Sequence, residues 1–278
     1  MLFNNLDLQQ PQIMGILNVT PDSFSDGGSY CRVSDAVEQA LRLAQEGATF
    51  IDVGGESTRP GASCVGSQEE MDRVLPVIEA LRQASDVLIS VDTSNPQLML
   101  ESARLGVDLI NDVRSLTRPG ALEAAIQTDL PVCIMHMRGE PSSMQQQAEY
   151  TDVVDEVKSW LMLRLQQCVD AGLKKEKILL DPGFGFAKHL QHNLALLAGL
   201  HEIVALGQPV LAGMSRKRML GELTGKDVNH RDAAGIAAHL LAVQQGARIL
   251  RVHSVAGLKD ALKVWQAVAA ADRNLLGK

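Results

Sequence analysis

Eight short apolar runs, separated by longer amphipathic stretches, constrain the fold of this chain more than any other feature. Each run is rich in Val, Ile and Leu, as strands buried on both faces are. The runs begin at residues 13, 50, 87, 107, 131, 178, 209 and 248. Strands that alternate with helices pair in parallel, and eight parallel strands can close into a barrel. We therefore predict an α/β fold consisting of a single (β/α)₈ TIM barrel.

Helix-like segments occupy most of the gaps between the runs, and the first of them illustrates the pattern. It opens on Ser34, a good N-cap residue, and closes on Gly47, a good C-cap residue. Val37, Leu41 and Ala44 recur at the spacing of one helix face. These signals predict a helix over residues 34–47 whose apolar stripe packs on the sheet.

An open, doubly wound sheet is the alternative architecture for the same alternation. Its nucleotide-binding form usually carries G-x-G-x-x-G after the first strand. The turn after the first run reads 18-NVTPDSFSDGG, which is not that fingerprint. A G-x-G does occur in 183-GFGFAK, but it follows the sixth run and ends in Lys. The turn chemistry therefore favours the barrel.

The length and composition exclude several classes of protein. A barrel needs roughly 250 residues, which fits the 278 residues as one domain. The net charge of −7 gives no general attraction to nucleic acid or to an anionic membrane. No apolar run approaches the length of about 18 residues that a membrane span needs, and no secretory signal is visible. Four well-separated cysteines indicate a reduced compartment, so we expect a cytoplasmic protein without nucleic-acid or membrane partners.

Polar residues follow nearly every apolar run. A parallel barrel brings all the carboxyl ends of its strands to one face, where the active sites of this fold lie. A buried carboxylate inside an apolar run is costly unless it has a partner, which solubility alone does not explain. The residues at the predicted strand ends are Asn18, Asp52, Asp92, Asn111, Asp112, His136, Asp181, Ser215 to Lys217, Arg251 and His253.

These strand ends divide into two kinds of chemistry. Carboxylates and an amide suit a flat heterocycle rich in hydrogen-bond donors, and they are Asp92, Asn111 and Asp181. Cationic and N–H groups suit a phosphate or diphosphate, and they are Arg59, Lys217, Arg251 and His253. Asn18 offers an oxygen to Mg²⁺, which takes few protein ligands when a phosphate supplies the others.

Two loops rich in Gly, Pro and polar residues follow the first two runs, over Thr20–Gly28 and Gly54–Gly61. Either loop alone is slightly better explained as an ordinary turn. Both at one rim of a barrel favour mobile lids over a binding site.

At these residues the sequence closely resembles the dihydropteroate synthase family of pterin-binding enzymes. Eight matching segments run in order and cover nearly the whole chain, which is far more specific than any one motif. They are 14-MGILNVTPDSFSDGG, 52-DVGGESTRPGA, 91-VDTSNP, 110-INDVRSL, 135-MHMRGEP, 181-DPGFGFAK, 213-GMSRKRMLG and 251-RVH. The resemblance implies one pterin-binding barrel domain over residues 1–278, with its core from about 13 to 271.

The resemblance implies that the enzyme joins 6-hydroxymethyl-7,8-dihydropterin diphosphate to p-aminobenzoate in folate biosynthesis. It assigns the pterin to Asp92, Asn111, Met135, Asp181, Phe186 and Lys217. It assigns the diphosphate to Asn18, Thr58, Arg251 and His253, with Mg²⁺ on Asn18. It assigns p-aminobenzoate to Phe24, Arg59, Pro60, Ser215 and Lys217, with Asp26 joining when the first loop closes. The expected catalytic residues are Asp26, Asp92, Asp181, Lys217, Arg251 and His253.

The resemblance also implies that the protein is a target of sulfonamides and a homodimer. The C-terminal helices over Arg231–Ala271 are candidates for the interface because they are rich in Ala and Leu, although their apolar faces could equally pack on the barrel. Three positions depart from the family pattern. Ser254 stands where Asp is common, Arg218 where Ser is frequent, and Ala187 where Gly is frequent. Two other functions stay open: a pterin-binding methyltransferase domain, which should lack both loops, and a non-catalytic paralogue, which the substitutions at 254 and 218 would suit.

Overall fold

The computed structural model describes residues 2–3, 6–20, 29–57, 65–141 and 143–275. For residues 2–3, 29–32 and 272–275 it describes the backbone only. A short antiparallel hairpin, β1 (Leu2–Phe3) and β2 (Leu6–Asp7), precedes the barrel, and no pattern in the sequence predicts it. The barrel strands are β3 (Gln12–Asn18), β4 (Phe50–Gly54), β5 (Leu88–Asp92), β6 (Leu109–Asp112), β7 (Val132–Met135), β8 (Ile178–Asp181), β9 (Leu211–Ala212) and β10 (Ile249–Val252).

These eight parallel strands form one sheet in the order β8-β7-β6-β5-β4-β3-β10-β9. A bridge between Leu180 and Val210 brings β8 beside β9 and closes the sheet into a barrel. All eight strands coincide with the apolar runs, so the predicted TIM barrel is confirmed.

Helices connect the strands on the outside of the barrel. They are α1 (Ser29–Glu46), α2 (Ser67–Ala84), α3 (Pro96–Arg104), α4 (Ala121–Thr128), α5 (Val153–Asp170), α6 (Leu190–Ala198), α7 (Leu200–Val204), α8 (Arg218–Thr224), α9 (Asp232–Gln244) and α10 (Val255–Leu275). None of the helices in the described part of the chain is long and apolar enough to span a membrane.

Helix α1 corrects one sequence prediction. It begins at Ser29, so Ser34 lies inside the helix and is not its N-cap. Gly47 does follow its last residue, with a φ of 109°. The fully buried stripe consists of Ala36, Ala40 and Leu43, one position before the expected one. Of the expected residues, Val37 and Leu41 are partly buried against the same core, so this side of the helix does pack on the barrel.

The alternation of side chains along each strand separates two hydrophobic cores. Along β4, Ile51 and Val53 join the large core between the sheet and the helices, whereas Phe50 points into the barrel. The residues of the smaller, inner core lie in the lower part of the barrel and beneath it: Leu8, Met14, Phe50, Leu109, Cys133, Leu179, Leu211 and Ile249.

Polar side chains replace this inner core toward the carboxyl ends of the strands. Asp52 follows Phe50 on the inner side of β4, and Asp92 lies beside Asn111 in the register of β5 and β6. Met135 and Asp181 are paired across β7 and β8. The barrel therefore has an apolar floor and a polar mouth, as required for a binding site at the C-terminal face.

Candidate functional site

An arginine and two aspartates form the centre of the barrel mouth. The Nε of Arg251 donates to Asp52 Oδ2 at 2.5 Å, and its Nη2 donates to Asp92 Oδ2 at 2.7 Å. The Nδ2 of Asn111 also donates to Asp52 Oδ2, at 3.2 Å. Oδ1 of Asp52 is buried and has no hydrogen-bond partner among the described residues. The cluster therefore joins β4, β5, β6 and β10 and retains one free acceptor.

Burial dominates the electrostatics of this cluster. It raises the pKa of Asp92 to about 7, against the attraction of Arg251, and Asp52 adds a smaller increase. Burial also raises the pKa of Asp181, against Lys217 and a hydrogen bond from the Gly183 amide. Burial thus destabilises the ionised form of both carboxyls, and an additional cationic or N–H donor group would stabilise that form.

Lys217, which precedes α8, lies over the loop after β8. Its Nζ donates to the Phe184 carbonyl and lies 4.6 Å from the centre of the Phe186 ring. Burial lowers the pKa of Lys217 to about 8, against the attraction of Asp181. Arg216 has a φ of 59°, a left-handed conformation that turns the chain just before the lysine. The structure therefore brings Asp181, Phe186 and Lys217 together.

Glycines shape the loop that carries Phe186. At Gly183, with a φ of 70°, a Cβ atom would lie 2.0 Å from the His136 carbonyl oxygen. The amide of Gly183 donates to Asp181 Oδ1 at 2.7 Å. The amide of Gly185 donates to Asn193 Oδ1, also at 2.7 Å. The loop thus passes too close to the neighbouring strand end for a side chain at 183.

Two further groups lie at the mouth near the expected diphosphate and p-aminobenzoate positions. His253, just after β10, approaches Ser215 Oγ with its Nδ1 at 3.0 Å and its backbone amide at 3.2 Å. Asn18 ends β3 and is half-buried. Met135 is buried at the end of β7, where its backbone bonds Ser115 Oγ.

A second polar network surrounds Arg114. Its members lie in four of the segments that carry the family resemblance, but nothing in those segments predicts that they pair. This side chain is only 3% exposed. Its guanidinium pairs with Glu56 at 3.0 Å and with Glu140 at 2.8 Å, and it donates to Ser94 Oγ at 3.2 Å. Ser94 in turn bonds Asp112. Arg114 therefore ties together the segments that follow β4, β5, β6 and β7.

The three departures from the family pattern have distinct settings. Arg218 is 87% exposed and pairs with Glu222 on the same helix. Ser254 lines a small cavity with Ser215 and His239. Ala187 is buried with a φ of 48°, a left-handed conformation that glycine adopts without strain.

Several expected site residues lie outside the described residues: Phe24, Asp26, Thr58, Arg59 and Pro60. Within the described ranges, no group of three or more His, Cys, Asp or Glu side chains could hold a metal ion. The donors at the mouth therefore fit Mg²⁺ only as an ion that brings most of its oxygen ligands with it, such as one bound to a diphosphate.

Two buried residues, one in the mouth and one behind it, are not among the site residues expected from the sequence. Asp52 is expected only as a strand-end residue, although its place two positions after Phe50 on one strand signals that it points inward. Lys188 is expected only as the end of 183-GFGFAK. It is 3% exposed, and no pattern in the sequence distinguishes it from a surface lysine.

Comparisons with known proteins agree with this geometry. The family model described as pterin binding enzyme matches residues 14–253. The dihydropteroate synthase of Haemophilus influenzae is 53% identical over 266 residues, which cover 96% of this chain and 97% of that protein.

Solved structures are similar over the same length. The Yersinia pestis dihydropteroate synthase in a sulfonamide drug complex has a TM-score of 0.91 at 51% identity, covering 95% of this chain and 96% of that one. The Xanthomonas albilineans dihydropteroate synthase with 4-aminobenzoic acid has a TM-score of 0.91 at 51% identity, covering 95% of each chain. The Xanthomonas enzyme in complex with 7,8-dihydropteroate has a TM-score of 0.87 at 48% identity, covering 95% and 96%. A barrel with this polar mouth, matched over nearly its whole length by these proteins, belongs to the pterin-binding enzyme family, among the dihydropteroate synthases.

Proposed function

We propose that this chain condenses 6-hydroxymethyl-7,8-dihydropterin diphosphate with p-aminobenzoate to give 7,8-dihydropteroate and pyrophosphate. The observation that carries this proposal is that Asp92, Asn111, Asp181 and Lys217 lie together in the polar mouth of the barrel. Relatives with about half of their residues identical have been crystallised with 4-aminobenzoic acid and with 7,8-dihydropteroate, which supports the same substrates here.

The pterin assignment follows from the partners that Arg251 has in this structure. The 2-amino and ring N–H groups of a pterin form a donor edge similar to that of a guanidinium. Such an edge can replace Arg251 at Asp92, where burial has made a donor favourable. Arg251 is then free to pair with the diphosphate. Met135 and Phe186 are assigned to the faces of the ring.

The reaction needs no nucleophile from the protein. The bond between the pterin methylene carbon and the diphosphate oxygen breaks, and its electron pair leaves with pyrophosphate. The lone pair of the p-aminobenzoate amine then forms the C–N bond, and the amine loses a proton. Asp92 and Asp181 favour the positive charge that develops on the pterin, while Arg251 and His253 stabilise the departing pyrophosphate.

We assign Mg²⁺ to Asn18 together with the diphosphate, where it would supply a Lewis acid that neutralises charge on the leaving group. Thr58 is assigned to the diphosphate as well. Phe24, Arg59, Pro60, Ser215 and Lys217 are assigned to p-aminobenzoate. A sulfonamide resembles p-aminobenzoate in shape and charge, so it is expected to compete at the same place.

We also propose a homodimer that uses the C-terminal helices. Leu241 on α9 and Val264 and Val268 on α10 are exposed apolar side chains, each more than half accessible. The two valines are one turn apart, so they lie on the same face of α10. Light scattering at micromolar concentration is expected to give twice the mass of the chain, and a monomer would contradict this proposal.

Product formation tests the function directly. Purified protein with the pterin diphosphate, p-aminobenzoate and Mg²⁺ is expected to release 7,8-dihydropteroate and pyrophosphate in equal amounts. Asp181→Asn should lower kcat/KM at least about 100-fold, because it removes the negative charge that stabilises the developing cation of the pterin. Lys175→Met, on an exposed turn below the barrel, serves as the control. Pterin binding without product would contradict the proposal and favour a non-catalytic paralogue.

A further inference from the structure

Lys188 is a buried lysine that the proposed chemistry does not use. It follows the loop after β8, and only 3% of the residue is exposed. Its Nζ lies 2.9 Å from His136 Nδ1, 3.0 Å from the Gly183 carbonyl oxygen and 3.0 Å from the Phe186 carbonyl oxygen. A fourth acceptor, the His136 carbonyl oxygen, lies farther away, at 3.5 Å. The three close acceptors match the three N–H groups of an ammonium in number.

Hydrogen bonding and burial act in opposite directions on the charge of the Lys188 amine. Burial lowers the pKa of His136 to about 2, so its ring is neutral and Nδ1 can accept from Lys188. Burial also lowers the pKa of Lys188, against the attraction of Asp181. With the His136 ring in its Nε2–H tautomer, only the charged amine can donate to Nδ1 and to both close carbonyls at once.

The two carbonyls that Lys188 holds are the ends of one tight turn. Between them, the Gly185 amide is fixed by Asn193, and the Gly185 carbonyl accepts from Gln145 at 2.8 Å. The outer side of this turn carries the Phe184 carbonyl and the Phe186 ring, both of which contact Lys217. Lys188 thus lies behind the surface that Lys217 and Asp181 present to the mouth.

We propose that Lys188 is a positioning residue of the pterin site, whose buried ammonium holds the turn over residues 183–187 in the shape that presents Phe186, Asp181 and Lys217 to the ligand. The inference rests on the proposed function for the identity of that ligand. Lys188 touches no substrate. It acts through the turn and through its charge, which attracts Asp181 and repels Lys217.

Variants at this position separate the hydrogen bonds from the charge. Lys188→Met removes both, Lys188→Gln keeps N–H donors without charge, and Lys188→Arg keeps the charge on a planar group. Lys175→Met is the matched control, because that lysine is exposed and precedes the N-terminal end of β8, away from the barrel mouth. The probe is 6-hydroxymethylpterin, which lacks the diphosphate. Its Kd is measured by calorimetry between about pH 4.5 and pH 9, a range that lies above the ordinary pKa of an aspartate.

Lys188→Met is expected to raise the Kd at least tenfold, Lys188→Gln to raise it less, and Lys175→Met to leave it unchanged. The loss of binding with falling pH, which follows the Asp181 carboxylate, should move to higher pH in the Met and Gln variants but not in Lys188→Arg, because the Lys188 charge lowers the pKa of Asp181. The charged groups that act on Asp181 are Lys217, Lys188 and Arg251, and those around Lys188 are Asp181, Lys217, Arg138 and His136. Among the variants and the control, only those at position 188 change these groups.

A folded Met or Gln variant with the wild-type Kd and the wild-type pH dependence would overturn the proposal. If Lys188→Met does not fold, as melting curves would show, the Gln variant decides. A wild-type protein that binds the pterin but makes no dihydropteroate would contradict the proposed function, and the Kd series would still decide the role of Lys188.

Discussion

Gly183 contacts the neighbouring strand end through its backbone, with no room for a side chain. Gly183→Ala would place a Cβ atom 2.0 Å from the His136 carbonyl oxygen at a left-handed φ. We expect a loss of about 3 kcal/mol or more in the free energy of unfolding, measured with urea. Gly207→Ala is the control, since its φ of 90° is also left-handed but a Cβ atom there would meet no described atom within 4 Å. Its loss should be about 1–2 kcal/mol, and equal losses would contradict the steric argument.

Lys217 should limit activity at alkaline pH. Its pKa is lowered to about 8 by burial, so the ammonium is lost as the pH rises through that value. We expect kcat/KM for the pterin diphosphate to fall above about pH 8, since this parameter reports the free enzyme. In Lys217→Arg the rate should be lower throughout, but the alkaline fall should disappear because a guanidinium stays charged. The same alkaline fall in both proteins would assign it to another group.

At the scale of elements, Arg114 links the base of the second loop to the barrel. Arg114→Met would leave Glu56, 10% exposed, without its cation. We expect the free energy of unfolding to fall by about 3 kcal/mol, because breaking a buried ion pair leaves an uncompensated charge. Arg104→Met removes the exposed pair with Glu101 and should cost about 0.5 kcal/mol or less. Similar losses in the two variants would show that the Arg114 network contributes little to the free energy of unfolding.

We propose that Asp26, in the loop after the first barrel strand, helps to keep water from the reactive pterin. Asp26→Ala should then lower turnover and increase hydrolysis of the pterin diphosphate relative to condensation, because water would compete with the amine. The ratio of hydroxymethylpterin to dihydropteroate, measured by chromatography, reports this. Unchanged turnover without additional hydrolysis would exclude Asp26 from that role.

The sequence predicts the strands and helices of this fold well, but it predicts the helix ends and the contacts between loops less well. The apolar runs predict every strand of the barrel, because a short run of this kind between amphipathic helices is typical of a strand buried on both faces. The predicted start of α1 is five residues late, since Ser34 has the chemistry of an N-cap but is also tolerated inside a helix. Arg114 and its partners cannot be predicted from the sequence, because their pairing joins loops that are 26 and 58 residues apart in the chain.

At the scale of the whole molecule, the polar mouth should lower stability as the pH rises. The pKa of Asp92 is raised in the folded state, so folding takes up a proton there between about pH 4 and pH 7. The stabilising protonated state is lost as the pH rises through the folded pKa. As the pH rises from about 4 to about 8, the stability of Asp92→Asn should therefore increase by about 4 kcal/mol relative to that of wild type, measured by urea unfolding.

Asp129 should have the opposite effect on the pH dependence of stability. Hydrogen bonds from Lys177 and Lys174 lower its pKa, so the ionised form stabilises the fold and this contribution is lost at low pH. Asp129→Asn should be less stable than wild type at neutral pH and approach it at acidic pH. Parallel pH dependence in the Asp92 and Asp129 variants would contradict one of the two assignments.

The pairing of Arg251 with Asp52 spans 199 residues, almost the full length of the barrel sequence. While the chain is being synthesised, Asp52, Asp92 and Asp181 all emerge before the arginine that neutralises the first two. A nascent barrel that lacks β10 therefore has an open sheet edge and adjacent carboxylates that repel one another. Because the last strand brings both the missing edge and the missing cation, it should dock late and cooperatively, and the binding site is completed in the same step that completes the fold.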